Sequence, residues 1–367
     1  MSVTRPARRR RAPVRSPAAD TAEAPAPAVG VLLPRDLPAG RILRYARRAE
    51  ALGFDAVWVV EDLGFRGGVA QAAAVLASTD RIRVGIGLLP AGARNVAFAA
   101  LEIASLAQLF PGRVDVAIGH GMPHWMRSVG QWPGSPLTLL REYVDALRAL
   151  LHGELTRRHG RYVRLDDVRL DPSALPGVVP DILAGVRGPR SLAVSGEVAD
   201  GTVLAEPVTP EYARVALGHI APGRRHRLVA YNVASVAPDR PTALAAARPG
   251  LEWIGEPDWH PHIAPLPFAD ELVALRAASA SREEFVRRMP DTWVARLAVA
   301  GTTEDARARL AELRAAGVTD AVLAPVGPDP VRALESLATL LGAGPVGGIG
   351  GVHGPEGAGT PSAPETP

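Results

Sequence analysis

The sequence predicts an α/β fold, a (β/α)8 TIM barrel with insertions after strand four, in a hairpin next to strand five, and after strand seven. Three observations predict it. Eight short apolar, β-branched runs recur, at 28–33, 55–60, 82–89, 113–119, 181–186, 201–205, 227–236 and 319–326. Such nearly continuous apolar runs suit parallel strands covered on both faces. Segments of helical period separate them, and no early Gly-x-Gly-x-x-Gly turn supports the competing doubly wound nucleotide-binding sheet.

Each element has its own signal. In 38–53, Ile42, Ala46, Ala49 and Leu52 share one helical face, and Gly53 is placed to stop the helix. After the fifth run, Gly188 sits where a helix N-cap belongs and Pro189 at the first helical position. In 302–317, Thr302 and Asp305 form a cap pattern, Ala306, Leu310 and Leu313 an apolar stripe, and Gly317 a stop. The insertions fall at about 120–137, 153–178 and 238–298. The barrel domain is expected over 28–342. The flanking segments, 1–27 rich in Arg, Pro and Ala and 343–367 rich in Gly and Pro, are expected to be disordered, because they cannot bury enough apolar surface.

Composition excludes whole classes of chemistry. The chain has no cysteine, so thiol nucleophiles, disulfides and zinc-thiolate or iron-sulfur sites are impossible. Lysine is absent as well, and all 41 basic residues are arginine, which removes Schiff-base catalysis and the P-loop lysine. The first 28 residues carry six arginines against Asp20 and Glu23, while the whole chain is only +3, so the basicity belongs to the tail. A solvated arm is the expectation for it, not a nucleic-acid interface. With no secretory signal and no apolar run near the roughly 18 residues of a membrane span, no membrane partner is expected and the expected location is the cytoplasm.

In a parallel barrel the active site lies at the carboxyl ends of the strands. That rule selects Glu61 and Asp62 after strand two, the segment from Leu88 to Asn95 after strand three, His120 to Trp125 after strand four, Arg187 to Arg190 after strand five, and Glu206 after strand six. Glu61 and Asp62 are adjacent and leave the strand on opposite sides, so one of them is expected to face the site. Glycines in Gly119-His120-Gly121 are expected to let a ligand ring approach the backbone. The uncapped helix start at Gly188-Pro189, flanked by Arg187 and Arg190, reads as an anion grip; solvated arginines on an ordinary βα turn are the plain alternative. His120-x-x-x-His124 and His260-Pro-His262 lack a carboxylate third ligand, so no metal is expected.

Five segments in register, ARRAEALGFDAVWVVED, RIRVGIGLLPAGARN, FPGRVDVAIGHG, GPRSLAVSGEVADG and AVAGTTEDARARLAELRAAGVTDAVL, resemble the bacterial luciferase-like flavin-dependent oxidoreductases. GPRSL and ADG are most similar to the branch containing methylenetetrahydromethanopterin reductase and other enzymes that use coenzyme F420. The resemblance covers about residues 28–342. It implies coenzyme F420 or FMN with its ring in the barrel mouth and its phosphate at Gly185-Val186-Arg187-Gly188-Pro189. It also implies a bulge or non-proline cis peptide at Gly87 and Leu88 backing the ring, with Gly119, His120 and Gly121 beside it. Many F420-dependent relatives carry Asp-His after strand two, where this chain has Glu61-Asp62, so Asp62 or His120 would handle the proton.

The resulting expectation is an oxidoreductase moving a hydride or electrons between F420 or FMN and a small organic substrate. Asp62, His120 and Trp125 would face substrate. Glu61, Gly87, Leu88, Gly119, Gly121, Gly185, Val186, Arg187, Gly188, Pro189, Arg190 and Glu206 would line the cofactor. The Trp125 loop and the segment Trp253 to Phe268 are candidate lids. An FMN-dependent monooxygenase served by a separate flavin reductase and a non-catalytic flavin-binding protein are the alternatives, and a homodimer is the oligomer the resemblance suggests.

Overall fold

Each of the eight apolar runs becomes a strand. The computed structural model describes residues 27–342, so the two terminal segments lie outside the described residues, apart from Pro27. In chain order the strands are β1 (Ala28–Leu32), β2 (Ala56–Val59), β3 (Arg83–Pro90), β4 (Val114–Gly119), β5 (Thr156–His159), β6 (Arg164–Val168), β7 (Ile182–Gly185), β8 (Gly201–Leu204), β9 (Arg227–Val236), β10 (Val299–Gly301) and β11 (Asp320–Pro325). Parallel pairing runs β1-β2-β3-β4-β7-β8-β9-β11 and returns to β1, closing an eight-stranded barrel.

Side-chain alternation divides the apolar residues between two cores. Val57 and Val59 point outward against the helical ring, which also buries Val84, Val116 and Ile182. Trp58, Ala117, Leu183, Val229 and Tyr231 point inward and fill the barrel. Its amino-terminal end is closed by charge: the Arg227 guanidinium reaches Asp115 at 2.6 Å, Asp320 at 2.8 Å and Asp181 at 3.2 Å, and Arg83 also pairs with Asp115. This end is therefore sealed, and any ligand must enter from the other.

The helix Ala39–Leu52 buries Ile42, Tyr45, Ala46 and Ala49 and stops at Gly53, whose φ of 90° suits glycine. Thr303–Ala315 starts on a capping box between Thr302 and Asp305 and buries Ala306, Leu310 and Leu313. The three insertions are present. The first is the short helix Pro123–Ser128, and the second is the antiparallel β5–β6 hairpin, which precedes β7. The third folds into short helices between Arg240 and Leu297 around a separate core that includes Leu251, Phe285 and Leu297. Strand β10, which the periodicity did not reveal, adds to the far end of β9 through Val299↔Ala234. Three residues are too few to carry a pattern.

Candidate active site at the barrel mouth

The mouth rests on Leu88. The Gly87–Leu88 peptide is cis, and the pairing of β3 with β4 shifts register between Ile86 and Leu89, as the resemblance implied. Leu88 packs on the barrel interior beside Leu32. The glycines around it have a different cause from the one expected. A Cβ on Gly119 would lie 2.6 Å from Leu88 Cδ2 and 2.5 Å from the Gly185 carbonyl oxygen, and one on Gly185 would also run into Leu88. Gly119 and Gly185 thus make room for Leu88 itself. A Cβ on Gly87 would run into the Tyr231 hydroxyl. Gly121 has a φ of 71°, and a Cβ there would press on Met126.

Glu61 and Asp62 take different partners. Glu61 is held by Arg94 at 2.9 and 3.1 Å and accepts the Gly68 amide at 2.8 Å, so its carboxylate is committed to the β2–β3 side. Asp62 forms a 2.7 Å ion pair with Arg35, which follows β1. Across the opening, Glu206 is half-buried after β8, followed by a cis bond to Pro207. Burial pushes its carboxyl up from the ordinary glutamate range. The neighbouring Asp62 carboxylate adds to the rise, against the opposing pull of Arg187 and Arg35. Asp62, Arg35, Arg187 and Glu206 therefore form one electrostatic cluster.

His120 Nε2 lies 3.0 Å from Ser191 Oγ, and burial pushes its imidazole down to about 4, leaving the ring neutral at neutral pH. Trp125 is half-buried on the short helix that follows, with its ring edge-on to the exposed His124 at 5.3 Å. His262 is buried against the Pro207 carbonyl at 3.1 Å, and no group of three metal-binding side chains occurs among the described residues.

Gly188 is the N-cap of helix Pro189–Val198, with Pro189 in its first turn and no side-chain cap. Its first amides are therefore free to meet an anion. The two arginines of this loop diverge. Arg190 is exposed, whereas Arg187 lies 4.7 Å over the Trp259 ring and donates to the Asp258 carbonyl at 3.1 Å. Trp259 in turn donates from Nε1 to the Glu206 carbonyl at 2.9 Å. The Trp253–Phe268 segment thus packs on the β7–β8 rim through Trp259 and His262. Val186 is buried and its amide bonds to Val203 of β8.

Leu88, Gly119, His120, Gly121, Asp62, Glu206 and the Gly185–Pro189 turn lie at or just beyond the carboxyl ends of barrel strands, while Glu61 is held by Arg94 and Arg190 is exposed. Arg35, Ser191 and Tyr231 were missed by sequence reasoning, and Trp259 was covered only as part of the Trp253–Phe268 segment. Arg35 was within reach of the strand-end rule, three residues beyond β1. Tyr231 lies inside β9 and was not. Three buried polar atoms near the β8–β9 rim, Tyr231 Oη, Asn232 Nδ2 and His262 Nε2, have no hydrogen-bond partner among the described residues. The apolar floor at Leu88 and the uncapped helix start fit a planar ring bearing a phosphate.

A family profile described as luciferase-like monooxygenase matches residues 13–320. A 5,10-methylenetetrahydromethanopterin reductase of Methanolobus tindarius is 30% identical over 316 residues, covering 81% of this chain and 94% of the relative. Among solved structures, the coenzyme F420-dependent tetrahydromethanopterin reductase of Methanopyrus kandleri has a TM-score of 0.74 at 21% identity, covering 86% of this chain and 98% of that one. An F420-dependent secondary alcohol dehydrogenase has a TM-score of 0.67 at 20% identity, with coverage of 86% and 98%. The chain belongs to the luciferase-like monooxygenase family and is an oxidoreductase enzyme of that class.

Proposed function

We propose that the protein binds coenzyme F420 or FMN in the barrel mouth and moves a hydride or electrons between it and a small organic substrate, with F420 the favoured cofactor. The geometry that carries this reading is the Leu88 floor, seated between Gly119 and Gly185, beside the uncapped helix start at Gly188–Pro189. The name of the 30% identical relative supports the reductive direction of the chemistry.

When bound, the cofactor supplies the redox step, and the protein orients, desolvates and manages protons. Leu88 offers an apolar surface to one ring face, and the free amides after Gly188 receive phosphate. Glu206 holds a proton at its carboxyl more readily than an ordinary glutamate and is the acid at the site. Asp62, pinned by Arg35, orients the substrate. His120, neutral and hydrogen-bonded to Ser191, exchanges hydrogen bonds without carrying charge. This assignment accounts for Glu61-Asp62 standing where relatives carry Asp-His: the proton is handled across the mouth.

Incubating the purified chain with F420 and, separately, FMN, then reading absorbance after gel filtration, tests the proposal; retention of one chromophore is expected, and retention of neither refutes it. With a turning-over substrate, Glu206→Gln should lower turnover while leaving cofactor affinity within about threefold. The family description favours a second reading, FMN-dependent monooxygenation with a separate flavin reductase. Oxygen consumption that follows substrate oxidation would select it.

A further inference from the structure

A cavity of about 470 Å³ lies beside the mouth, between the loop after β3, the excursion after β4 and the β5–β6 hairpin. Its volume lies within the range of small-molecule sites. It begins at Ala91 and Gly92, immediately beyond the end of β3.

The walls are apolar and aromatic: Val96, Leu139, Trp132, Tyr143 and Tyr162 line it. Two of the aromatic walls carry guanidinium groups on their faces, Arg127 over Trp132 at 5.2 Å and Arg161 over Tyr162 at 5.3 Å. Arg94 and Arg164 line the cavity directly. The carboxylates nearby are already committed. Glu61 and Glu102 bind Arg94, and Glu142 accepts the backbone amides of residues 161–163. Arg164 makes no ion pair among the described residues.

The cavity also holds an unsatisfied donor. Tyr143 is 2% exposed, and its hydroxyl makes no hydrogen bond among the described residues. The hydroxyl is not fully buried: it opens on the cavity that Tyr143 lines and is free to donate there. The Tyr162 hydroxyl accepts the Ser135 amide at 2.6 Å, which leaves its proton to donate. Donors and cations therefore outnumber acceptors in a space whose walls are aromatic.

We propose that this cavity is a second ligand site, separate from the cofactor mouth, for an aromatic organic acid. The aromatic body lies against Trp132, Leu139 and Val96, an oxygen accepts from Tyr143, and the anionic group meets Arg164 at the rim. Nothing in this assignment depends on the redox reading of the mouth.

The test uses 8-anilino-1-naphthalenesulfonate, an aromatic sulfonate, titrated by fluorescence into the full chain with and without saturating FMN, with stoichiometry from equilibrium dialysis. One probe per chain, retained in the presence of FMN, is expected. Leu139→Trp, which fills the cavity, should weaken binding more than tenfold. Tyr143→Phe should weaken it roughly 3- to 10-fold and Arg164→Gln roughly 10-fold or more. Competitive displacement by FMN would place the probe in the mouth and overturn the proposal. Unchanged affinity in a folded Leu139→Trp would place it elsewhere, such as on the exposed Phe98 and Leu109 of helix Val96–Leu109, and would overturn it too. If Leu139→Trp does not fold, unchanged binding by Tyr143→Phe and Arg164→Gln decides against the site. Should neither FMN nor F420 bind the chain, the probe titration without competitor and these variants still decide.

Discussion

Gly119→Ala is the sharpest test of how the mouth is built. The new Cβ would sit 2.5 Å from the Gly185 carbonyl oxygen and 2.6 Å from Leu88 Cδ2, more than half an ångström inside normal contact. The carbonyl cannot retreat freely, because Gly119 and Gly185 are paired partners of β4 and β7, and the Gly119 carbonyl accepts the Ala91 amide at 2.9 Å. Overpacking of this kind costs about 1–3 kcal/mol. For a domain of this size that lowers the melting temperature by roughly 2–6 °C. Gly185→Ala differs in one respect: its Cβ meets Leu88 atoms only. Leu88→Ala should therefore relieve Gly185→Ala, with a coupling of about 1–2 kcal/mol, and should relieve Gly119→Ala only in part. Thermal melts and urea titrations of the three single and two double variants read both cycles, and cofactor titration on the same proteins reads the mouth. An unshifted melting temperature for Gly119→Ala, or no relief of Gly185→Ala by Leu88→Ala, would refute the claim that these glycines exist to seat Leu88.

Three further outcomes follow from the charges. Arg227→Met strips Asp320 of its cation and leaves Asp115 with Arg83 alone, which should cost about 3–5 kcal/mol in urea unfolding. The folded Asp320 carboxyl lies below its unfolded range, chiefly through hydrogen bonding to Arg227 set against burial. Its stabilisation is therefore present above the unfolded value and lost as pH falls through the folded one, so the variant should unfold at higher pH in an acid titration. His120 runs in the other direction: with a folded value of about 4 against roughly 6.5 unfolded, the unfolded chain takes up the proton first. Stability should fall as pH drops from about 6.5 towards 4, and His120→Asn should flatten that slope. Trp259→Ala removes the indole bond to the Glu206 carbonyl and the contact with Arg187, the latter worth about 0.5–2 kcal/mol. Hydrogen exchange should quicken across residues 253–268, with the barrel strands unchanged.

The barrel was legible because its signals are local and repeated. Eight apolar runs, Gly53 and the Thr302–Asp305 cap each act within a few residues of themselves. The strand-end rule then placed Asp62, His120 and Glu206 at the mouth without any knowledge of their contacts. What it left open was direction. Whether Glu61 or Asp62 enters the opening depends on Arg94, which lies 33 residues away from Glu61 and claims it. The parting of Arg187 from Arg190 likewise depends on Trp259, in an insertion with no period of its own. Tyr231 was hidden for a further reason. A tyrosine inside an apolar strand reads as core, and only the unpaired hydroxyl beside Gly87 distinguishes it.

The same contacts bear on the residue pair that departs from the F420-dependent pattern. A carboxylate carries a proton near neutral pH only when its surroundings penalise charge. Glu61 is bound by a bidentate arginine, and Asp62 is paired with Arg35. Glu206 has no ion pair among the described residues, and burial together with Asp62 acts to keep its proton in place. The two sides of the opening are thus complementary: a fixed charge at Asp62 disfavours a second charge at Glu206. Asp62→Asn should therefore bring Glu206 nearer to an ordinary glutamate, shifting the alkaline limb of a pH–rate profile, where the acid loses its proton, to lower pH, whereas Glu61→Gln, separated from the cluster by Arg94, should leave that limb in place. An alkaline limb insensitive to Asp62→Asn would mean that the two carboxyl groups do not act as a pair.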